Sequence, residues 1–124
     1  MNIVFYSSSR VPVEDFIDKQ PIAEQAKIAA CLKSIMNLGL NEPRVEFRQI
    51  RGKLWELKIR GEDSAFRIFY VLLNSKLMIL LHAYKKQSQK AAVKEIIIAQ
   101  QRLNEVLRNE SLYFRSVHSE KIEE

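Results

Sequence analysis

Basic side chains recur at spacings that would let them bind a phosphate group. Lys58 and Arg60 stand two residues apart in an alternating segment, so they share one face of a predicted strand. Arg67 lies in the next alternating segment, on a face that also carries apolar residues, and is expected to be partly buried. Because a guanidinium binds phosphate oxygens bidentately, Arg67 is the strongest single candidate for a phosphate contact. The alternatives are a solvated sheet face and cross-strand pairing with Glu56.

A histidine and a tyrosine in the following apolar segment could move a proton. His82 is the only histidine of residues 1–108, and its ordinary pKa near neutrality suits proton transfer. Tyr84 could stack on a nucleic-acid base or assist the proton transfer. Both positions also fit a central strand, in which Leu80 and Tyr84 share the side of His82 and the histidine belongs to the core.

Lysines follow this segment closely. Lys85 and Lys86 follow the predicted strand and are expected to be exposed, and Lys90 and Lys94 extend the basic patch. Their ammonium groups suit phosphate contact or charge stabilisation. A surface that only keeps the protein in solution remains the alternative.

The distribution of charge supports a polyanionic partner. The 124 residues carry a net charge of +5, from 20 basic and 15 acidic side chains. Residues 44–94 hold 12 basic and 4 acidic side chains, a net charge of +8, while both flanking segments are slightly acidic. The positive charge is therefore concentrated in the segment that carries the candidate residues, as in many nucleic-acid-binding domains.

The periodicity of the apolar residues indicates the elements that position these side chains. Residues 2–7 predict a short strand, and residues 12–38 predict a helical hairpin. Four strands joined by short turns follow over residues 45–84, and a helix follows from about residue 91 to residue 108. We expect an α+β two-layer domain over residues 1–108, with an antiparallel sheet of four or five strands. The N-terminal strand would join an edge, and the helices would cover one face.

The remaining composition excludes several classes of protein. No apolar run reaches the roughly 18 residues of a membrane helix, and the beginning of the chain lacks the pattern of a signal peptide. We therefore expect a cytoplasmic protein with no membrane partner. Residues 109–124 are expected to form a polar tail.

Metal-dependent chemistry is poorly supported by the residues. The Glu-x-Lys pattern of residues 56–58 occurs in metal-dependent nucleases, but these also need an upstream aspartate, and residues 19–62 contain none. Cys31, His82 and His118 are scattered without the spacing of zinc ligands. The sequence thus predicts no metal and no other cofactor, with Cys31 in or near the core.

Three blocks of this sequence resemble a known family. They are Gly-Lys-Leu-Trp-Glu-Leu-Lys at residues 52–58, Phe-Arg-Ile-Phe-Tyr at residues 66–70, and Leu-Leu-His-Ala-Tyr-Lys-Lys-Gln-Ser-Gln-Lys at residues 80–90. The blocks are similar to those of the RelE/HigB-like toxins of bacterial type II toxin–antitoxin systems, the phage-derived branch of the RelE/ParE superfamily. The resemblance extends over about residues 1–108. Lys58 stands where arginine is usual, and Ala91-Ala92 stand where Thr-Pro is common.

This resemblance implies a RelE/ParE-like fold and a metal-independent endoribonuclease that cuts mRNA, often on the ribosome. The 2′-hydroxyl would attack the adjacent phosphorus, which needs a base, an acid and cations for the growing phosphoryl charge. The candidate catalytic residues are Arg67, His82, Tyr84 and Lys86. The candidate RNA-binding residues are Lys58, Arg60, Lys85, Lys90 and Lys94. The implied partners are mRNA, the ribosome and a cognate antitoxin of helix-turn-helix type.

Two other functions stay open on the sequence. The ParE branch shares the fold but inhibits DNA gyrase without cutting RNA, and a third possibility is a non-catalytic domain that binds its antitoxin or regulates transcription with it. His82 and the lysines at residues 85–86 favour the nuclease, because gyrase inhibition does not require groups that transfer protons.

Overall fold

The structure is a computed structural model that describes residues 1–86 and 92–123, with side chains up to residue 116. Its elements follow the predicted order, with one further helix at the C-terminal end. They are β1 (Asn2–Phe5), α1 (Pro12–Asp18), α2 (Ile22–Leu38), a 3-10 turn (Gly39–Asn41), β2 (Val45–Arg51), β3 (Leu54–Arg60), β4 (Ala65–Asn74), β5 (Leu77–Lys86), α3 (Val93–Arg108) and α4 (Glu110–Glu123).

The five strands form one mixed sheet in the order β1-β5-β4-β3-β2. Strands β2 to β5 make an antiparallel meander, and β1 pairs with β5 in parallel, with Asn2 opposite Leu77. The predicted α+β class, the meander and the position of the N-terminal strand at an edge are confirmed. The alternating pattern of residues 2–7 did not indicate the direction of this strand.

The N-terminal helical hairpin covers one face of the sheet. Ile28, Leu32 and Ile35 recur at helical spacing along α2 and are buried. They belong to a core with side chains such as Leu57 of β3 and Ile68 of β4, and Cys31 is buried in the same core.

Helix α3 covers the opposite face. Its buried residues Ala99, Leu103 and Val106 pack in a second core with Phe69 and Val71 of β4. The expectation of two layers with helices on one face is therefore wrong. Strands β4 and β5 are apolar on both faces, so both faces need a cover that excludes water.

An irregularity in β5 decides which face carries the candidate histidine. His82 lies opposite Phe69, whereas Leu80 lies opposite Tyr70, so Leu81 is an extra residue without a partner in the described register of β4. Leu80 belongs to the α2-side core, while His82 faces α3. The expectation that Leu80 shares the side of His82 is wrong, because the bulge shifts the alternation by one residue.

The segment after α3 is helical. Residues 109–124 were expected to form a polar tail, but Glu110–Glu123 form α4, and Tyr113 packs against the second core. Among the described helices, none combines the length and the apolarity that crossing a membrane requires.

Candidate functional site

A buried carboxylate lies at the centre of the polar part of the sheet. Glu56 is only 2% exposed. Its Oε1 accepts hydrogen bonds from Arg67 Nη1 at 2.6 Å and from Arg48 Nη2 at 3.1 Å. Its Oε2 accepts the hydroxyl of Tyr84 at 3.3 Å. Strands β2, β4 and β5 thus each contribute one donor to a carboxylate on β3.

Strand register brings these side chains together. Glu56 lies opposite Arg48, and Arg67 lies opposite both Lys58 on β3 and Tyr84 on β5. Residues opposite each other on adjacent strands project from the same face. The group, here termed the Glu56 cluster, consists of Glu46, Arg48, Glu56, Lys58, Arg67, Tyr84 and Lys86.

Five members of the Glu56 cluster line an open depression of about 100 Å³, namely Glu46, Arg48, Glu56, Lys58 and Arg67. Lys58 Nζ lies 3.5 Å from Glu46 Oε2 at its rim. The depression is large enough for a small anion but too small for a nucleotide, so it suits a single phosphate group.

One N–H donor of the Arg67 guanidinium is unpaired among the described side chains. Its side chain is 12% exposed, and its Nη1 is bound to Glu56. Its Nε is buried and has no hydrogen-bond partner among the residues whose side chains are described. An unsatisfied buried donor is costly, and the same residue lines the depression.

Positive charge exceeds negative charge in the Glu56 cluster. Four cations, on Arg48, Lys58, Arg67 and Lys86, meet the two carboxylates of Glu46 and Glu56. Burial lowers the pKa of Lys86, and the neighbouring guanidinium of Arg67 lowers it further, while Glu56 opposes this shift. A bound anion would relieve this repulsion.

Tyr84 is a hydrogen-bond donor in this arrangement. Burial raises the pKa of its phenol to about 12, with a further contribution from the charge of Glu56. The hydroxyl is therefore protonated at neutral pH and orients the carboxylate by donating to it.

His82 is occupied on both ring nitrogens. Nε2 lies 2.8 Å from Glu95 Oε2, and Nδ1 lies 3.0 Å from Arg102 Nη1. Because a guanidinium only donates, Nδ1 must be the acceptor and Nε2 carries the proton. Burial lowers the pKa of His82, and Arg102 lowers it further, while Glu95 acts in the opposite direction. The ring is therefore neutral and directed at α3.

The ring of His82 nevertheless contacts the Glu56 cluster by stacking. Its plane lies 18° from that of Tyr84, with ring centroids 6.4 Å apart. Phe69 stacks on both rings, at 6.3 Å from His82 and 5.6 Å from Tyr84. His82 thus adjoins the cluster through ring faces rather than through its nitrogens.

The structure brings together four of the predicted site residues, namely Lys58, Arg67, Tyr84 and Lys86. Arg60 is exposed at the end of β3, on the same face. Lys85 lies on the opposite face, with its ammonium 5.5 Å from the centroid of the Phe66 ring. Lys94 is exposed near the beginning of α3, and Lys90 lies outside the described residues.

Sequence reasoning missed the central role of Glu56 and the contributions of Arg48, Glu95 and Arg102. Glu56 was considered only as a cross-strand partner or as part of a metal-site pattern. The available signal was a lone acidic residue on the basic face of β3, on the same face of the predicted hairpin as Arg67. Nothing in the spacing of Glu95 and Arg102 indicated that α3 would cover His82.

The described residues contain no group of three or more His, Cys, Asp or Glu side chains arranged to hold a metal ion. The chemistry available to the Glu56 cluster is that of two carboxylates, one phenol, two guanidinium groups and two ammonium groups. This set can bind a phosphate, accept a proton and donate a proton.

One comparison with known proteins gives a match. The family model described as "Phage derived protein Gp49-like (DUF891)" matches residues 15–104. The matched stretch is more than two thirds of the chain and includes strands β2 to β5, His82 and Arg102. No curated protein matches the chain.

Proposed function

Because the chain belongs to the phage-derived Gp49-like family, which is associated with toxin–antitoxin systems, we propose that it is the toxin of such a pair. Its activity is proposed to be metal-independent endonucleolytic cleavage of mRNA on the translating ribosome in the cytoplasm. The observation that carries this proposal is the Glu56 cluster, in which a buried carboxylate and a guanidinium with a spare donor border a depression of phosphate size.

The proposed reaction forms a bond between the ribose 2′-oxygen and the adjacent phosphorus and breaks the bond from phosphorus to the 5′-oxygen. The carboxylate of Glu56, which the Tyr84 hydroxyl orients by a hydrogen bond, takes the proton of the 2′-hydroxyl. Arg67 and Lys58 bind the phosphoryl oxygens, whose negative charge grows in the transition state.

Lys86 is proposed to protonate the leaving 5′-oxygen. The surroundings lower the pKa of its ammonium, which makes the group a stronger acid. Transfer of a proton by His82 stays a prediction, because both of its ring nitrogens are engaged by α3.

Other basic residues are proposed to bind the flanking RNA. Arg60 extends the basic face of β3, and Lys94 stands at the beginning of α3. Lys85 and Lys90 complete the predicted RNA-binding set. A cognate antitoxin, proposed to carry a helix-turn-helix domain, would silence the enzyme by covering the Glu56 cluster.

Inhibition of DNA gyrase and a purely regulatory role remain the competing functions. A protein that only binds gyrase or an antitoxin does not need a buried carboxylate bound by two guanidinium groups and a phenol. Burying a charge costs free energy even when it is paired, and the position of Glu56 beside a depression of phosphate size favours a role in proton transfer.

Induced expression followed by primer extension on cellular mRNA tests the proposal. We expect cuts within translated messages, lost in the Arg67→Ala/Lys86→Ala double variant and retained in Lys33→Ala, which changes an exposed lysine of α2. Intact mRNA with DNA-damage signalling would indicate gyrase inhibition, and harmless expression of a folded protein would indicate a regulatory domain.

A further inference from the structure

A second group of cations lies at the edge of β5, away from the Glu56 cluster. Strand β1 pairs with residues 77–80 of β5. Immediately beyond this pairing, Arg102 of α3 donates to the carbonyl oxygen of Leu81 at 3.0 Å. The Arg102 side chain thus supplies the hydrogen bond that a neighbouring strand would otherwise donate to β5, and this bond fixes its guanidinium at the sheet edge.

A cavity of about 410 Å³ opens at this position. Its polar lining consists of Ser8, Ser9, Arg10, Asp15, Lys19 and Arg102. Cavities that bind small molecules typically measure about 300–1,000 Å³. This cavity is therefore large enough for a nucleotide, unlike the depression in the Glu56 cluster.

The cavity carries unmatched positive charge. It is lined by three cations and one carboxylate. Within the described part of the chain, no carboxylate forms an ion pair within 4.0 Å with Arg10, Lys19 or Arg102. Burial lowers the pKa of Arg102, while Tyr6, Glu105 and Glu95 raise it, and the guanidinium lies 5.5 Å from the centroid of the Tyr6 ring. The hydroxyls of Ser8 and Ser9 add hydrogen-bond donors.

We propose that the cavity lined by Arg10, Lys19 and Arg102 binds a phosphate group, supplied by a free nucleotide or by the backbone of single-stranded RNA. The guanidinium groups of Arg10 and Arg102 bind its oxygens, and Lys19 supplies a third positive charge. The RNA source rests on the proposed function, whereas the nucleotide source does not.

This site is separate from the Glu56 cluster. Arg102 lies past the β5 edge, and Glu56 lies on β3, which is itself roughly 10 Å from β5 by the spacing of strands. The two sites are joined by His82, which contacts Arg102 through Nδ1 and stacks on Tyr84.

Titration of the ¹⁵N-labelled full chain tests this proposal. The probes are inorganic phosphate, adenosine 5′-monophosphate and a short single-stranded RNA with 2′-O-methyl groups, which cannot be cleaved. We expect saturable shifts of the Ser8, Ser9 and Lys19 amides with at least one probe. Shifts with phosphate or the nucleotide identify a free ligand, and shifts with RNA alone identify the RNA backbone.

Matched variants identify the residues responsible. Arg10→Ala/Lys19→Ala should weaken binding of the effective probe at least tenfold, while Lys33→Ala should change it less than twofold. Arg10→Lys/Lys19→Arg, which keeps both charges, should retain most of the affinity. The absence of saturable shifts with all three probes would overturn the proposal, as would unchanged affinity in the folded double alanine variant. Nucleotide binding by a protein whose expression leaves cellular mRNA intact would support the proposed phosphate site and contradict the proposed nuclease activity.

Discussion

At the scale of single residues, Glu56 organises the polar side of the sheet. A carboxylate that is 2% exposed would be unstable alone, and three donors from three other strands compensate its charge. The same donors are the groups that a phosphate would need. Binding of a phosphate would therefore compete with Glu56 for Arg67 and free the carboxylate to accept a proton.

Glu56→Gln should lower RNA cleavage by about 10²–10⁴-fold, the usual contribution of a general base. The amide keeps the shape and accepts a hydrogen bond from Arg67, but it cannot take a proton. Single-turnover cleavage of a purified RNA substrate measures the effect. Glu62→Gln, at an exposed turn residue, is the control and should cleave RNA at the rate of the original protein. Equal cleavage rates in the two variants would show that Glu56 is not the general base.

The tautomer of His82 is a second residue-scale prediction. Its ¹⁵N spectrum should show a protonated Nε2 and an unprotonated Nδ1, with a pKa below the ordinary value of histidine because burial and Arg102 lower it. Arg102→Leu should raise that pKa, since the neighbouring cation is removed, and should let both tautomers appear. Arg108→Leu, at an exposed position of α3, is the control, and a protonated Nδ1 in the original protein would refute the assignment.

Glu42 makes stability depend on acid pH. Its carboxylate accepts hydrogen bonds from Ser34 and from Arg44, and these bonds lower its pKa to about 2. The pKa of a glutamate in the unfolded chain is about 4.3, so the unfolded chain binds a proton at this residue before the folded protein does as the pH falls. The stabilisation is complete above about pH 4.3 and is lost as the pH falls towards 2.

Glu42→Gln should therefore flatten the decline of unfolding free energy over this range of pH. Urea denaturation between pH 2 and pH 6 measures it, and Glu46→Gln, whose carboxylate is largely exposed, should keep the original slope. A decline as steep in Glu42→Gln as in the original protein would contradict this account.

At the scale of elements, α3 is the part that makes the sheet two-sided. Leu103, which is 2% exposed, is central to its contact with the sheet. Leu103→Ala should lower the free energy of unfolding by about 2–5 kcal/mol, since it leaves a cavity in a packed core. Urea denaturation measures this loss. Leu112→Ala, at a side chain that is 53% exposed, should cost far less, and equal losses would show that α3 is loosely packed.

The sequence predicted the elements better than their arrangement. Strand β3 was read correctly, because Leu57 and Ile59 alternate with polar residues and face the α2-side core. The position of α3 was missed, although Phe69 and Val71 already indicated a second apolar face. The extra residue at Leu81 could not be foreseen, since a bulge depends on pairing with β4 and leaves no mark in an apolar run.

The same limit applies to the candidate site. Residue type and position in or next to a strand predict Arg67, Lys58, Tyr84 and Lys86 as candidates. Glu56 and Arg102 were not identified, because their importance depends on which side chains from other elements meet them. Periodicity predicts the face of a strand, but contacts across elements require the packed fold.

At the scale of the whole molecule, the excess positive charge is local and should make RNA binding depend strongly on salt. If one phosphate at the Glu56 cluster and one flanking phosphate at each of Arg60, Lys85 and Lys94 are neutralised, the logarithm of affinity should fall with the logarithm of salt concentration with a slope of about −3. Fluorescence anisotropy with the 2′-O-methyl RNA measures the slope. Arg60→Ala should make it shallower by about 0.7, Lys33→Ala should leave it unchanged, and a slope near zero would exclude phosphate contacts.

The parallel pairing of β1 with β5 has a consequence for biosynthesis. Asn2 and Leu77 are opposite each other although the chain between them contains α1, α2 and most of the meander. The meander, which holds the Glu56 cluster, is built from neighbouring hairpins and closes short loops. In a nascent chain, β2 to β5 would therefore pair without β1. Strand β1 is synthesised first, but it can join the sheet only after β5 has been synthesised.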